Sequence, residues 1–163
     1  MSISIANKVA LVTGANRAIG KAIVESFINH CAKKVYLAVR NTESTKYLEE
    51  KYGNKVLTIK ADVANATSIQ QLAEQTKDVD IVVNNAGVGA PYPTLGNDEE
   101  KDFAYNLEVN AFGLVRIANT FAKTLEKNKG ALVQLNSIAS IKTSHNFLPI
   151  LPRKRPPIPL PRV

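Results

Sequence analysis

Along this chain, short runs of consecutive apolar and β-branched residues alternate with longer stretches in which apolar residues return every three or four positions. The run KVALVT (8–13) has strand length and no polar break, the pattern of a strand covered on both faces. From Ile19 the period changes, and Ile19, Ala22, Ile23 and Phe27 recur at helical spacing as far as about His30. KVYLAV (34–39) reads as a strand again, and ESTKYLEEKY (43–52) as a helix ending at Gly53. KVLTIKA (55–61), a helix through SIQQLAEQT (68–76) and the strand VDIVVNN (79–85) follow. A long helical pattern runs from about Asp98 to Asn128 and ends before Gly130, and ALVQLNS (131–137) is the last clear strand.

The predicted order is β-α-β-α-β-α-β-α-β. It implies an α/β fold, a doubly wound parallel sheet of about five strands with right-handed crossovers and helices on both faces. In open sheets of this kind, ligands bind beyond the carboxyl ends of the strands, near the point where strand order reverses. No internal repeat appears, and no linker precedes the last residues. The expected organisation is one domain over residues 1–148 and an irregular Pro/Arg-rich tail over 149–163.

That tail alters how the charge is read. Six of the eight prolines lie between Pro149 and Pro161, and Arg153, Lys154, Arg155 and Arg162 have no acidic partner there. These four account for more than half of the net charge of +7 and leave +3 over residues 1–150, which is no footprint for nucleic acid. The rest of the composition, 45% hydrophobic and 21% charged, is that of a globular protein. A single cysteine, Cys31, excludes an intramolecular disulfide. The opening MSISIANK has no apolar signal core, and no run reaches membrane-spanning length. A soluble cytoplasmic protein is expected, with no nucleic-acid or membrane partner. His30 and His145 stand apart without ligand spacing, so no metal site is expected.

Chemistry enters at TGANRAIG (13–20), which joins the first strand to the first helix. Gly14 permits a tight turn, and Gly20 lets helix and strand pack closely. The helix then presents unpaired backbone N–H groups and the positive end of its dipole to a phosphate. A plain strand-to-helix turn is the alternative.

Taken with four later features, this turn resembles the cofactor turn of the short-chain dehydrogenase/reductase family. Thr13-Gly14 and Ile19-Gly20 are similar to the ends of that family's TGxxxGIG turn, and NNAG at Asn84–Gly87 to its second signature. Asp62-Val63 resembles the pair that contacts adenine. LEVNAFG places Asn110 inside the long helix like the family's helix-kinking catalytic asparagine, and LVQLNSIAS places Ser137 like its active-site serine. The resemblance implies a Rossmann-type fold and hydride transfer between a nicotinamide cofactor and a small-molecule carbonyl or alcohol. It implies cofactor contacts from Gly14, Asn16, Arg17, Ile19, Gly20, Arg40, Asp62, Val63, Asn85, Ala86 and Gly87. Ser137 would bond the substrate oxygen, and Asn110 would hold a water in a proton relay. The long helix resembles the surface through which the family forms homo-oligomers.

Two positions depart from the family pattern. Ala18 stands where the turn usually has a middle glycine, and Cys31 where a glycine commonly ends the first helix. If position 31 takes a positive φ, a cysteine there is strained; Cys31 itself reads as a small buried apolar residue rather than a reactive thiol. On cofactor choice, no carboxylate stands at the end of the second strand to accept a ribose 2′-OH. Arg40 is there instead, and with Arg17 it favours the 2′-phosphate of NADP(H) over NAD(H). Two solvated surface arginines are the plainer reading.

The family's Tyr-x-x-x-Lys is implied about 13 residues past the serine. Position 150 is Ile150, Lys154 follows four later, and no tyrosine occurs after Tyr105. The general acid/base is therefore missing, and an impaired enzyme is expected. A coding stretch for YSASKAAAYSLTQG, a peptide like the family's active-site helix, can be written so that a reading one base later gives ILPRKRPPIPLPRV. That is Ile150–Val163 letter for letter, so the tail is expected to be an out-of-frame translation. A polyproline ligand at Arg153, Pro156 and Pro159, or a nuclear-import patch at PRKRP, are its alternatives. For the whole chain, an oxidoreductase lineage and a non-catalytic nucleotide-binding or interaction protein both remain open. With the chain ending after five strands, Leu132, Val133 and Leu135 of the last strand are expected to be under-covered.

Overall fold

The computed structural model describes residues 4–89 and 99–136. Five parallel strands, β1 (Val9–Thr13), β2 (Lys34–Val39), β3 (Val56–Lys60), β4 (Ile81–Asn84) and β5 (Ala131–Gln134), stand in the order β3-β2-β1-β4-β5. Strand order reverses between β1 and β4, and α1 (Ala18–Asn29) opens there, directly after the β1 turn. This is the doubly wound, Rossmann-type arrangement implied by the alternating pattern.

The unbroken apolar runs have the expected cause. Val9 and Leu11 of β1 pack on one side with Tyr36, Ile59 and Val82, against Ile69 and Leu72 of α3 (Ala66–Gln75) and Ile117, Phe121 and Leu125 of α5 (Gly113–Asn128). Ala10 and Val12 face the other side with Val35, Leu37 and Val83, against Val24, Phe27 and Ile28 of α1 and Leu48 of α2 (Lys46–Tyr52). Alternate residues of a strand point to opposite faces, so a strand sandwiched between two helix layers has no position for a polar residue. Phe121 is fully buried, and its truncation to alanine would cost roughly 3–5 kcal/mol.

Four details differ from the expected elements. The helix expected over 43–52 begins as a 3₁₀ turn, Thr42–Thr45, capped by Asn41, and becomes α-helical at Lys46. The buried stripe of α1 is Gly20, Val24, Phe27 and Ile28; Ile19, the first residue expected on it, is 61% exposed at the mouth of the sheet. The long helical pattern is three pieces: α4 (Glu99–Leu107), a π-helical segment Glu108–Phe112, and α5. Cys31 is exposed rather than buried, with φ +60°. It closes α1 in a Schellman turn, where Cys31 N donates to Ile28 O (3.1 Å) and Ala32 N to Phe27 O (3.0 Å). The strained reading of Cys31 is the one the structure has.

On edge strand β5, Leu132 and Val133 are exposed, while Leu135 packs in part against the α1 side of the core. At the amino-terminal end of β2, the Tyr36 phenol donates to Asp78 Oδ1 (2.7 Å) and accepts from Lys34 Nζ (2.8 Å). The Tyr36 hydrogen bond, backed by Asp78, holds the Lys34 ammonium pKa above its ordinary value. Burial raises the Tyr36 phenol. Burial also opposes ionisation of Asp78, but the bonds from Tyr36 and Lys34 outweigh it and lower that pKa.

Candidate functional site

Thr13 is the last residue of β1, and its side chain decides where the neighbouring loops go. Its buried hydroxyl donates to Asn84 Oδ1 (3.0 Å) and accepts from the backbone N–H groups of Asn85 (3.0 Å) and Ala86 (2.9 Å). The Asn85 amide returns two bonds to the glycine turn, to Thr13 O (2.9 Å) and Gly14 O (3.2 Å). Asn84 extends the connection outward, donating from Nδ2 to Gln134 Oε1 (2.8 Å) on β5. The glycine turn and the asparagine strand end are thus stitched together at one sheet edge.

Both glycines of the turn are sterically required. Gly14 has φ +64°, and a Cβ on it would lie 3.1 Å from Ala86 Cα. A Cβ on Gly20 would lie 2.1 Å from Gly14 O and 2.6 Å from Asn85 Nδ2, an impossible approach. Ala18, between them, has φ +44°, a region where alanine is strained and glycine is not. The position usually filled by the family's middle glycine keeps glycine-like geometry around a methyl group.

Around this junction lies a cleft of about 430 Å³. Gly14, Asn16, Arg17, Ile19 and Gly20 line it from the turn, Arg40 from the end of β2, Asp62 and Val63 from the end of β3, and Asn85, Ala86 and Gly87 from the end of β4. All eleven residues expected at a cofactor therefore share one concavity. The first turn of α1 carries no acidic residue, and Arg17 provides no side-chain cap. Its leading N–H groups stay available to an anion. This uncapped helix end, the glycine approach and the two arginines form a donor set that fits a pyrophosphate-bearing dinucleotide. The exposed Ile19 side chain adds an apolar surface to the cleft.

Asn110 lies in the π-helical segment beside the cleft. Its Nδ2 donates to Val88 O (2.8 Å), and its Oδ1 accepts from Val88 N (2.9 Å). The amide reads the Val88 peptide as a strand would, and Val88 lines the cleft. Arg116 braces the same segment with a two-pronged contact to Glu108 (2.9 and 3.0 Å) and reaches Val63 O (3.3 Å). Gly113 lets the helix approach, since a Cβ there would lie 3.2 Å from Val63.

Some site features escaped the sequence reading. Tyr47 of α2 donates to Asn16 O (3.0 Å) and so supports the glycine turn from outside. Tyr105 of α4 accepts from Arg40 Nη1 (2.5 Å). Gln134, half-buried, extends the hydrogen-bond chain from Thr13. These pairs are 31 to 65 residues apart, and only the packing of helices on the sheet and the β4–β5 register bring them together. Ser137, Ile150 and the 149–163 tail lie outside the described residues. Among the described residues, no helix is long and apolar enough to cross a membrane, and no three His, Cys, Asp or Glu gather to hold a metal.

Comparison with known proteins agrees with this geometry. Residues 8–149 match the family model for short chain dehydrogenases. An NADPH-dependent 3-dehydrocapnine reductase of Ornithobacterium rhinotracheale is 33% identical over 147 residues, covering 82% of this chain and 50% of that protein. An NADP-dependent 3-hydroxy acid dehydrogenase of Salmonella typhi is 29% identical over 136 residues, covering 80% of this chain and 54% of its own length. The chain thus spans about half the length of the curated relatives it matches. A short chain dehydrogenase from Burkholderia cenocepacia, solved with NADP, superposes with TM-score 0.81 at 28% identity, over 91% of this chain and 60% of that one. A Burkholderia phymatum member solved with NAD gives TM-score 0.79 at 25% identity, over 90% and 54%. With the family's turn, strand end and helical asparagine gathered on one sheet edge, and its model matched over residues 8–149, the chain belongs to the short chain dehydrogenase family.

Proposed function

We propose that the cleft binds NADP(H) in preference to NAD(H), and that the chain derives from an oxidoreductase acting between that cofactor and a small carbonyl or alcohol. The observation that carries the reading is the Thr13 and Asn85 stitching, which places an uncapped helix end, two close-approach glycines and Arg17 and Arg40 around one cleft. Gly14, Gly20 and the α1 N–H groups would hold the pyrophosphate, and Asp62 and Val63 the adenine. Arg40 and Arg17 would hold the 2′-phosphate, with no carboxylate at the end of β2 to favour a free ribose. The NADPH- and NADP-dependent relatives support this choice. When bound, the cofactor supplies the hydride. The protein's own part would be positioning. Asn110, its amide committed to Val88, would fix the loop beside the cleft and could hold a relay water only through a remaining lone pair or its main chain.

Turnover by this chain is proposed to be at or near background, because Ile150 stands where the general acid/base tyrosine is due. That residue also favours a second reading, a nucleotide-binding protein without catalysis. Residues 1–148 are proposed as the folded unit and 149–163 as an appendage, supported by the family match ending at residue 149. The exposed pair Phe112 and Val115, three residues apart on the long helix, supports self-association through that helix.

Titration calorimetry with NADPH and NADH tests the cofactor reading. NADPH should bind at least tenfold tighter than NADH, and Arg40→Gln should erase most of that ratio. Equal affinities, or no binding to a folded chain, reject it. Saturable NADPH-dependent carbonyl reduction by purified protein would reject the impaired-turnover proposal and leave the cofactor reading intact.

A further inference from the structure

Arg40 does not extend freely into solvent; its Nη1 donates to the Tyr105 phenol oxygen at 2.5 Å, joining the end of β2 to α4. Both side chains are exposed, and Arg40 lines the cleft next to Asn41 and Asp62. We propose that Tyr105 is a specificity-determining residue, which holds the Arg40 guanidinium at the rim of the cleft so that its remaining donors meet a phosphate ester on the ribose 2′ position. The inference rests on the NADP(H) reading of the cleft and adds a residue to it.

The chemistry of the pair suits an anion. A guanidinium carries five N–H donors in a rigid fork, so one bond from Nη1 to Tyr105 leaves Nε and Nη2 free to grip two phosphate oxygens. A phenol is uncharged at neutral pH, so it orients the arginine without neutralising it, as a carboxylate at the same place would. A long arginine side chain restrained before the ligand arrives also loses less rotamer freedom on binding. NAD(H) has no group for this rim to hold, so the effect of Tyr105 must be confined to ligands bearing the 2′-phosphate.

The test uses 2′,5′-ADP and 5′-AMP, which differ in that phosphate alone, titrated against the full chain by calorimetry. Tyr105→Phe is expected to weaken 2′,5′-ADP about threefold to tenfold, the span of one hydrogen bond, while 5′-AMP stays within about twofold. Tyr105→Glu should lower the ratio of the two affinities to that of Arg40→Gln. The double variant Arg40→Gln/Tyr105→Phe should be no worse than Arg40→Gln, because Tyr105 acts through Arg40. If Arg40→Gln lowers the ratio and both Tyr105 variants keep it, the role of Tyr105 falls and the NADP(H) reading stands. If Tyr105→Phe weakens both ligands alike, or tightens 2′,5′-ADP, the positioning role is likewise overturned. If Arg40→Gln itself leaves the ratio unchanged, the NADP(H) reading falls and takes this inference with it.

Discussion

Replacing Thr13 by valine keeps shape and branching and removes one oxygen. Thr13 is 1% exposed, and its hydroxyl joins three groups of the β4 end: Asn84 Oδ1 and the N–H groups of Asn85 and Ala86. Asn84 is itself only 3% exposed, so its carbonyl oxygen would lose its Thr13 donor where water is scarce, at about 1–3 kcal/mol. Asn85 and Ala86 are half-buried, so each lost bond there costs nearer 0.5–1.5 kcal/mol. Together these give about 3–4 kcal/mol, a large part of an ordinary domain stability of about 5–15 kcal/mol. Thr13→Ser keeps the hydroxyl and sheds one methyl, at about 1 kcal/mol. Urea unfolding followed by circular dichroism separates the two. With a slope of about 1–3 kcal/mol per molar, the valine variant should unfold about 2 M earlier than the parent and the serine variant about 0.5 M earlier. Equal losses for valine and serine would mean that the hydroxyl does not hold the two loops together, and the basis for placing a cofactor there would go with it.

The glycine turn allows no side chain at its second glycine: Gly20→Ala should cost about 3 kcal/mol or more and abolish NADPH binding, because the new Cβ meets backbone. Gly53→Ala has room, with nothing within 4 Å, but φ +56° with ψ −132° lies outside the left-handed helical well, so it should cost about 1–3 kcal/mol in the same unfolding assay. Ala18→Gly and Cys31→Gly should each raise the melting temperature by a few degrees. Left-handed strain of about 1–2 kcal/mol is relieved at each, against about 0.4–1 kcal/mol of added unfolded-state entropy. At opposite ends of α1 the two gains should add. The Lys34–Tyr36–Asp78 cluster predicts a stability plateau with two edges. The folded state holds the Lys34 and Tyr36 protons more tightly, so their contribution is full below about pH 10 and lost as pH rises through the folded values. The contribution of Asp78 is full above about pH 4 and lost as pH falls through its lowered value. Urea midpoints measured across pH should show the alkaline edge shrink in Tyr36→Phe; an unchanged edge would remove the cluster as its cause.

The centre of the sheet was legible because burial on both faces leaves β1, β2 and β4 continuous apolar runs, and β2 begins and ends where its run does. Glycine chemistry made the turn legible too, since Gly14 and Gly20 have local steric reasons to be glycine. What escaped was decided far away in sequence. The likeness of Asn110 to a helix-kinking asparagine marked where the long helix breaks, but the apolar spacing of residues 98–128 does not show the π-helical form, which accompanies the capture of Val88 by Asn110 and the seating of Gly113 on Val63. Ile19 fits a helical stripe by spacing, yet sits on the first turn, where the helix projects past the sheet into the cleft. Cys31 looked like a core residue by type, but the left-handed closing position of a helix faces solvent whatever occupies it. The partners of Arg40 and Asn16 are tyrosines on other helices, and no local pattern points to them.

The wide turn at Glu108–Phe112 also sets a rotational phase between the two halves of the long helix. Each α-helical residue advances about 100° around the axis. A wide turn carries roughly one residue more than an α-helical turn, so annealing the segment into regular α-helix at unchanged length would rotate one half against the other by about 100°. Ile117, Phe121 and Leu125 are anchored in the core, so the amino-terminal half would take up the whole twist. Asn110 would swing off Val88, and Tyr105 off Arg40. A shift of hydrogen-bond register in one turn would thus uncouple the rim from the scaffold while every strand kept its place.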